Sequence, residues 1–131
     1  MNSLTYCLIV TGSHYGTEQA SSAYLFANAL IEKGHKIAQV FFYRDGVTNA
    51  NKLVSPASDE FNLPKAWLAF AKEHRIPLQV CVAAALRRGI IDEQQAKEQG
   101  IDGANLASEF ELSGLGSLAQ TMLTCSRVVQ F

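Results

Sequence analysis

The feature that most constrains this chain lies between Leu4 and Tyr43, where the hydrophobic period changes twice. Leu4 to Val10 is an apolar, β-rich run that Thr11-Gly12-Ser13-His14-Tyr15-Gly16 breaks, as a buried strand ends in a turn-rich loop. From Glu18 to Lys33 the period becomes helical: Ala20, Ala23, Tyr24, Ala27, Leu30 and Ile31 share one face, with Thr17 placed to cap the start and Gly34 to stop the end. Lys36 to Tyr43 (K-I-A-Q-V-F-F-Y) is again a strand. Strand, helix and strand in so short a span form a βαβ unit, which implies two parallel strands joined by a right-handed crossover.

The alternation continues. Leu63 to Arg75 reads as a helix capped by Asn62, with Pro64 in its first turn and Trp67, Phe70 and Ala71 on its inner face. Leu78 to Val82 is a third strand and Ala83 to Arg88 a short helix stopped by Gly89. Asp92 caps a further short helix that Gly100 ends. Phe110 to Leu112 is a short strand, and Ser113 is placed to cap a helix carrying Leu115, Leu118, Ala119, Met122 and Leu123 on one side. Arg127 to Phe131 is a last strand. The expected fold is therefore one α/β domain over residues 1–131, in three layers, with a mainly parallel, flavodoxin-like sheet of about five strands. Arg44 to Phe61 is the exception, a polar stretch without sustained period, read either as a surface excursion or as a binding loop.

Composition narrows the function. The 131 residues carry 11 basic and 12 acidic side chains, a net of −1, which argues against a broad nucleic-acid footprint or a polybasic membrane anchor. No apolar run approaches the ~18 residues of a membrane span. The first residues show neither a basic leader nor a cleavage signature, so a cytoplasmic location is expected. The three cysteines, Cys7, Cys81 and Cys125, include no C-x-x-C pair, which argues against a zinc site, a dithiol motif or a disulfide framework. No metal or organic cofactor is expected.

In open α/β sheets ligands gather beyond the carboxyl ends of the strands. Three segments lie there: Thr11 to Thr17, Arg44 onward, and Cys81 to Arg88. In a flavodoxin-like strand order the first and third would be neighbours. Cys81 stands where a strand hands over to Ala83-Ala84-Ala85-Leu86, and a thiol at a helix N-terminus meets free backbone N–H groups that favour the nucleophilic thiolate. Arg87 and Arg88 follow and would reinforce that field. The opposing reading is a small buried hydrophobe, the usual fate of free cysteine. Cys7, in mid-strand, reads as core, and Cys125 as structural. Gly12 to Thr17 resembles an anion-binding loop before a helix, yet it is neither a Walker A nor a G-x-G-x-x-G sequence. Gly12, His14 and Tyr15 are candidates for the second wall of a site, with His14 or Tyr15 as hydrogen-bond donor, and Ala83 and Ala84 supply the backbone N–H groups of the first.

The stretches V-T-G-S-H-Y-G-T-E-Q-A-S-S-A, F-F-Y-R-D-G-V-T-N-A-N, S-P-A-S-D-E-F, V-C-V-A-A-A-L-R-R-G, L-S-G-L-G-S-L-A and C-S-R-V-V-Q-F run from Val10 to Phe131. Through them the chain resembles the DsrE-like sulfurtransferases. The resemblance implies a cytoplasmic sulfur relay that builds the 2-thio group of the tRNA wobble uridine, with the sulfur-carrying cysteine falling on Cys81. It also implies a TusA-like sulfur donor, a TusE-like acceptor, and TusB-like and TusC-like subunits as partners in a heterohexamer, with no direct nucleic-acid contact. Two other classes stand beside it. One is a non-catalytic structural subunit of such a hetero-oligomer; the other is a small flavin- or nucleotide-binding domain.

Overall fold

A computed structural model describes residues 2–131. Five strands form one sheet: β1 (Thr5–Val10), β2 (Lys36–Phe42), β3 (Leu78–Cys81), β4 (Phe110–Ser113) and β5 (Arg127–Gln130). Their spatial order is β4-β3-β2-β1-β5, and every strand pair is parallel. The helices between them are α1 (Gln19–Glu32), α2 (Leu63–His74), α3 (Val82–Arg87), α4 (Glu93–Gln99) and α5 (Leu115–Thr124). The first three crossovers step the same way along the sheet and the last steps back across it. Right-handed connections then place α1, α2 and the α3–α4 pair on one face and α5 on the other, which gives the three layers. Among the described residues, no helix is long and apolar enough to cross a membrane.

The core follows from the period. Leu8, Val10, Val40, Phe42, Val80 and Phe110 are all buried in the sheet. Phe42 meets Trp67 of α2 and Phe110 of β4 edge-on, each with ring centroids 5.3 Å apart, and Tyr24 of α1 closes on Trp67 at 5.4 Å. Edge-to-face contacts of this kind add about 0.5–1.5 kcal/mol each beyond the area they bury. Cys7 is fully buried, with the Gln39 side-chain amide directed at its sulfur, and desolvation pushes its thiol above the ordinary range. It is a core residue, as its place in mid-strand implied.

Several expectations need correction. The strand order puts β2 between β1 and β3, so the loops after β1 and β3 do not flank adjacent strands. The reason is that α1 and α2 carry the chain onward in one direction instead of reversing after the first pair. Thr17 does not cap α1; Glu18 holds that position without a side-chain cap, and the Thr17 hydroxyl turns back to the Ser13 carbonyl. Ser113 does not cap α5 either: it remains the last residue of β4, paired with Cys81, and Gly114 takes the cap position. Of the apolar stripe on α5 only Leu118 is buried, whereas Leu115, Met122 and Leu123 are exposed. As the helix of the return crossover, α5 covers the face of the sheet opposite the other helices.

The polar stretch after β2 is also more ordered than its composition suggests. Arg44–Ala50 forms a 3-10 segment in which Gly46, Val47, Asn49 and Ala50 are buried. Gly46 has to be glycine because a Cβ there would overlap the Val10 carbonyl. Ala107 N–H donates to the Ala50 carbonyl (2.8 Å) and Lys52 N–H to that of Asn105 (2.7 Å), with a bridge between Asn51 and Leu106. Only the part beyond this bridge keeps the irregular character expected of the whole. Two caps match their residues: Asn62 accepts from Lys65 N–H at the start of α2, and Asp92 with Gln95 forms a reciprocal capping box on α4.

Candidate functional site

The carboxyl ends of the strands line up as β4, β3, β2, β1 and β5, and the candidate residues sort themselves along that edge. Cys81 is the last residue of β3 and the N-cap residue of α3, in extended conformation (φ −61°, ψ 117°). The junction forms because the β-favouring Leu-Gln-Val run meets Ala83-Ala84-Ala85, the best helix formers, with no turn residue between them. Its thiol is free but only 3% exposed. The burial accords with its position at the end of β3, paired with Ser113 of β4 on one side, while the ladder to β2 stops one residue earlier at Val80 and the 3-10 segment after β2 packs against β3 and α3. Ala83 is exposed and Ala84 buried, so the first turn of α3 has one open and one packed side.

What stands next to Cys81 on the β2 side is the 3-10 segment, not the loop after β1. The segment packs against both β3 and α3. Arg88 Nε donates to Asp45 Oδ1 at 2.9 Å, and a guanidinium N–H also reaches the Ala84 carbonyl at 3.1 Å, which ties α3 to the segment. Arg88 is thereby engaged with a carboxylate, and its charge is shared rather than free to act on the thiol.

On its other side the segment holds the loop after β1. The Thr48 hydroxyl lies 3.2 Å from His14 N and 3.1 Å from His14 Nδ1. The Asn49 side-chain amide donates to the carbonyls of Gly12 (3.2 Å) and Gly46 (2.9 Å), while its Oδ1 is buried without a partner. Gly12 is buried, and a Cβ there would sit 2.5 Å from that of Gln19. Partial burial holds the His14 imidazole below its ordinary pKa. The Tyr15 hydroxyl donates to Glu60 Oε1 at 2.8 Å, and Ala57 N–H donates to Glu60 Oε2 at 2.9 Å. That hydrogen bond raises the Tyr15 phenol and lowers the Glu60 carboxyl.

Cys81, Ala83 and Ala84 therefore form one turn, and Gly12, His14 and Tyr15 a second group separated from it by the 3-10 segment. His14, Tyr15, Pro56, Glu60, Phe61 and Leu63 line a cavity of about 300 Å³ to which Cys81 does not contribute. A cleft of about 520 Å³ opens between Leu53, Leu86, Ile91 and Ile101 beside α3. Among the described residues no three His, Cys, Asp or Glu side chains converge as metal ligands. Sequence reasoning missed Thr48, Asn49 and Glu60. All three lie in the aperiodic polar stretch, and only the partners they meet across the fold make them distinctive.

Comparison with known proteins adds the family. Residues 5–131 match the model of the DsrE/DsrF-like family. The chain is 79% identical over 128 residues to the protein named Sulfurtransferase TusD of Proteus mirabilis (strain HI4320), covering 98% of each. It is 65% identical over 131 residues to the protein of the same name from Photorhabdus laumondii subsp. laumondii, covering 100% of both. The crystal structure of the ychN protein from E. coli superposes with a TM-score of 0.74 over 98% of this chain and 99% of that one, at 22% identity, a likeness of fold. A match over nearly the whole length, together with a parallel five-stranded sheet of the same architecture, means that the chain belongs to the DsrE/DsrF-like family.

Proposed function

We propose that this chain, a sulfurtransferase of the DsrE/DsrF-like family, carries sulfur as a persulfide on Cys81. The observation that carries the reading is the position of a free thiol at the β3–α3 junction, on the carboxyl edge of the sheet. The relatives named Sulfurtransferase TusD support it at high identity over the full length.

The chemistry is two successive thiol exchanges. The Cys81 thiolate attacks the outer sulfur of a donor persulfide R–S–SH. The new S–S bond forms as the donor's bond breaks, leaving Cys81–S–SH and releasing R–S⁻. An acceptor thiolate then attacks the same outer sulfur and regenerates the Cys81 thiolate. No electrons are gained or lost overall, and no cofactor is required. Backbone N–H groups of Ala83 and Ala84, in the first turn of α3, are suited to stabilise the anionic sulfur. Gly12 and His14 act at one remove, through Asn49 and Thr48 of the 3-10 segment whose other side packs on β3 and α3, and Tyr15 braces the stretch after that segment through Glu60. If His14→Ala and Tyr15→Phe both leave the transfer rate unchanged, that assignment is wrong.

The donor in this reading is a TusA-like carrier and the acceptor a TusE-like protein, in a cytoplasmic relay ending in 2-thiolation of the tRNA wobble uridine. TusB-like and TusC-like subunits complete a heterohexamer around the chain. The near-neutral charge balance agrees with contact to proteins and not to the tRNA itself. Burial of the Cys81 thiol is the one observation that favours the alternative, a non-catalytic structural subunit. In the sulfur-carrier reading the same burial shields a reactive persulfide from stray oxidants and thiols. Intact-mass measurement after incubation with a persulfide donor separates the two. The carrier reading predicts a reducible gain of one sulfur atom in the wild type that Cys81→Ser abolishes. Folded wild-type protein that gains no sulfur, alone and with its partner subunits, contradicts it.

A further inference from the structure

We propose that the Ser113 hydroxyl donates a hydrogen bond to the sulfur carried on Cys81, an inference that rests on the sulfur-carrier reading above. β3 and β4 run in register to their final pair, Cys81 opposite Ser113. Paired residues of parallel strands project from the same face of the sheet, with the strands about 4.8 Å apart. Both strands end at this pair, so both side chains stand at the carboxyl edge. The structure also frees Ser113 for the task. A serine just before a helix would ordinarily spend its hydroxyl on capping, but here Gly114 occupies the cap of α5 and no side chain caps it. Ser113 is half-buried beside a thiol that is almost fully buried, so a hydrogen bond between them would form largely out of water.

The chemistry suits a persulfide better than a thiol. The outer sulfur of a loaded Cys81 lies about 2.05 Å beyond Sγ, so it reaches further than the thiol does. It is also anionic at neutral pH, and a neutral O–H donor to an anion in a partly desolvated setting is among the stronger hydrogen bonds available. Ser113 makes and breaks no covalent bond; it holds the charged sulfur while exchange occurs. Glu111 is the charged residue on the same strand face, two positions back from Ser113, while α3 brings Arg87 and Arg88 after Cys81 and the 3-10 segment that packs on β3 and α3 brings Arg44 and Asp45. Arg88 is drawn to Asp45, and α5 contributes no charged residue at all.

The test equilibrates the full chain with glutathione persulfide in excess reduced glutathione and reads the loaded-to-unloaded ratio of the Cys81 peptide by mass spectrometry. Ser113→Ala lowers that ratio roughly tenfold, the size expected for a hydrogen bond to a charged group. Ser113→Thr and Ser113→Val have nearly the same shape and suit a strand position equally, so they differ in the hydroxyl alone. The threonine variant keeps the wild-type ratio and the valine variant loses it as alanine does. Equal loading of the threonine and valine variants, with the wild type loaded, overturns the role of Ser113 and leaves Cys81 as carrier. A wild type that takes no sulfur on Cys81 overturns the carrier reading and this inference with it.

Discussion

Asn49 is a polar side chain with 0% exposure, and its replacement tests how the two loops at the sheet edge are joined. Its amide N–H groups serve two carbonyls, Gly12 on the loop after β1 and Gly46 in its own segment. Asn49→Ala removes both bonds. At about 1 kcal/mol net for each, the loss is about 2 kcal/mol, increased by two carbonyls left short of a donor and reduced because the unpartnered Oδ1 disappears as well. The expected cost is about 2–3 kcal/mol. Asn49→Asp keeps the shape but turns a donor into a second acceptor facing those carbonyls and buries a charge, so its cost at neutral pH is higher, about 4 kcal/mol or more. Burial and the facing carbonyls raise the carboxyl pKa of the folded variant above its unfolded value of about 3.9. A raised folded pKa gives stability that is fully present below the unfolded pKa and lost as pH rises through the folded one. The Asp variant therefore approaches the Ala variant in acid and falls below it toward neutrality. Urea denaturation followed by the fluorescence of Trp67, the single and fully buried tryptophan, measures both series. An Asp variant as stable as the Ala variant at neutral pH, or a difference that does not change with pH, refutes the bonding described for Asn49.

Other consequences are equally direct. Gly46→Ala forces the backbone apart at Val10 and costs about 2 kcal/mol or more, read by the same denaturation; a neutral result would mean that the 3-10 segment does not press on β1. His14 titrates below the ordinary imidazole range in an NMR pH series, because burial disfavours its charged form. With the folded pKa depressed, its contribution is present above the unfolded value of about 6.5 and is lost as pH falls through the folded one, so acidification lowers stability. A midpoint at or above the ordinary value contradicts this. Tyr15→Phe moves the Glu60 carboxyl back up toward the usual carboxylate range without changing the unfolding midpoint, since the pair is exposed; NMR titration of Glu60 checks it. Leu123 is 87% exposed, so Leu123→Lys changes stability by less than about 0.5 kcal/mol in urea denaturation, and a larger loss would place that side chain in a packed interface.

The alternation of strands and helices was legible because it is a local signal. A βαβ period shows itself within tens of residues, and Asn62, Asp92 and Gly100 mark their helix ends by their own chemistry. Strand order is not local. Nothing in the residues of β1, β2 or β3 announces that β2 lies in the middle, so the loop after β1 reads as the neighbour of Cys81 although the strand between them separates the two. The 3-10 segment was hidden for a related reason. Asp45, Thr48 and Asn49 are turn-forming residues in isolation, and they become structural only through Arg88, His14 and Gly12, all distant in sequence. Ser113 differs from its expected role by a single position. Because β4 continues through it to pair with Cys81, the cap moves to Gly114 and Ser113 becomes the register partner of the cysteine. Cys81 itself was readable as the start of a helix after a strand, but its depth was not, since burial depends on which strands lie on either side.

The most direct test of the account follows one sulfur atom through the protein. The chain is loaded from a donor carrying isotopically heavy sulfur, cleared of the donor, and mixed with a TusE-like acceptor while cysteine peptides are sampled in time. The account predicts heavy sulfur on the Cys81 peptide alone, leaving it at the rate at which the acceptor gains it. Heavy sulfur on the peptides of Cys7 or Cys125, or on Cys81 with none reaching the acceptor, would contradict it.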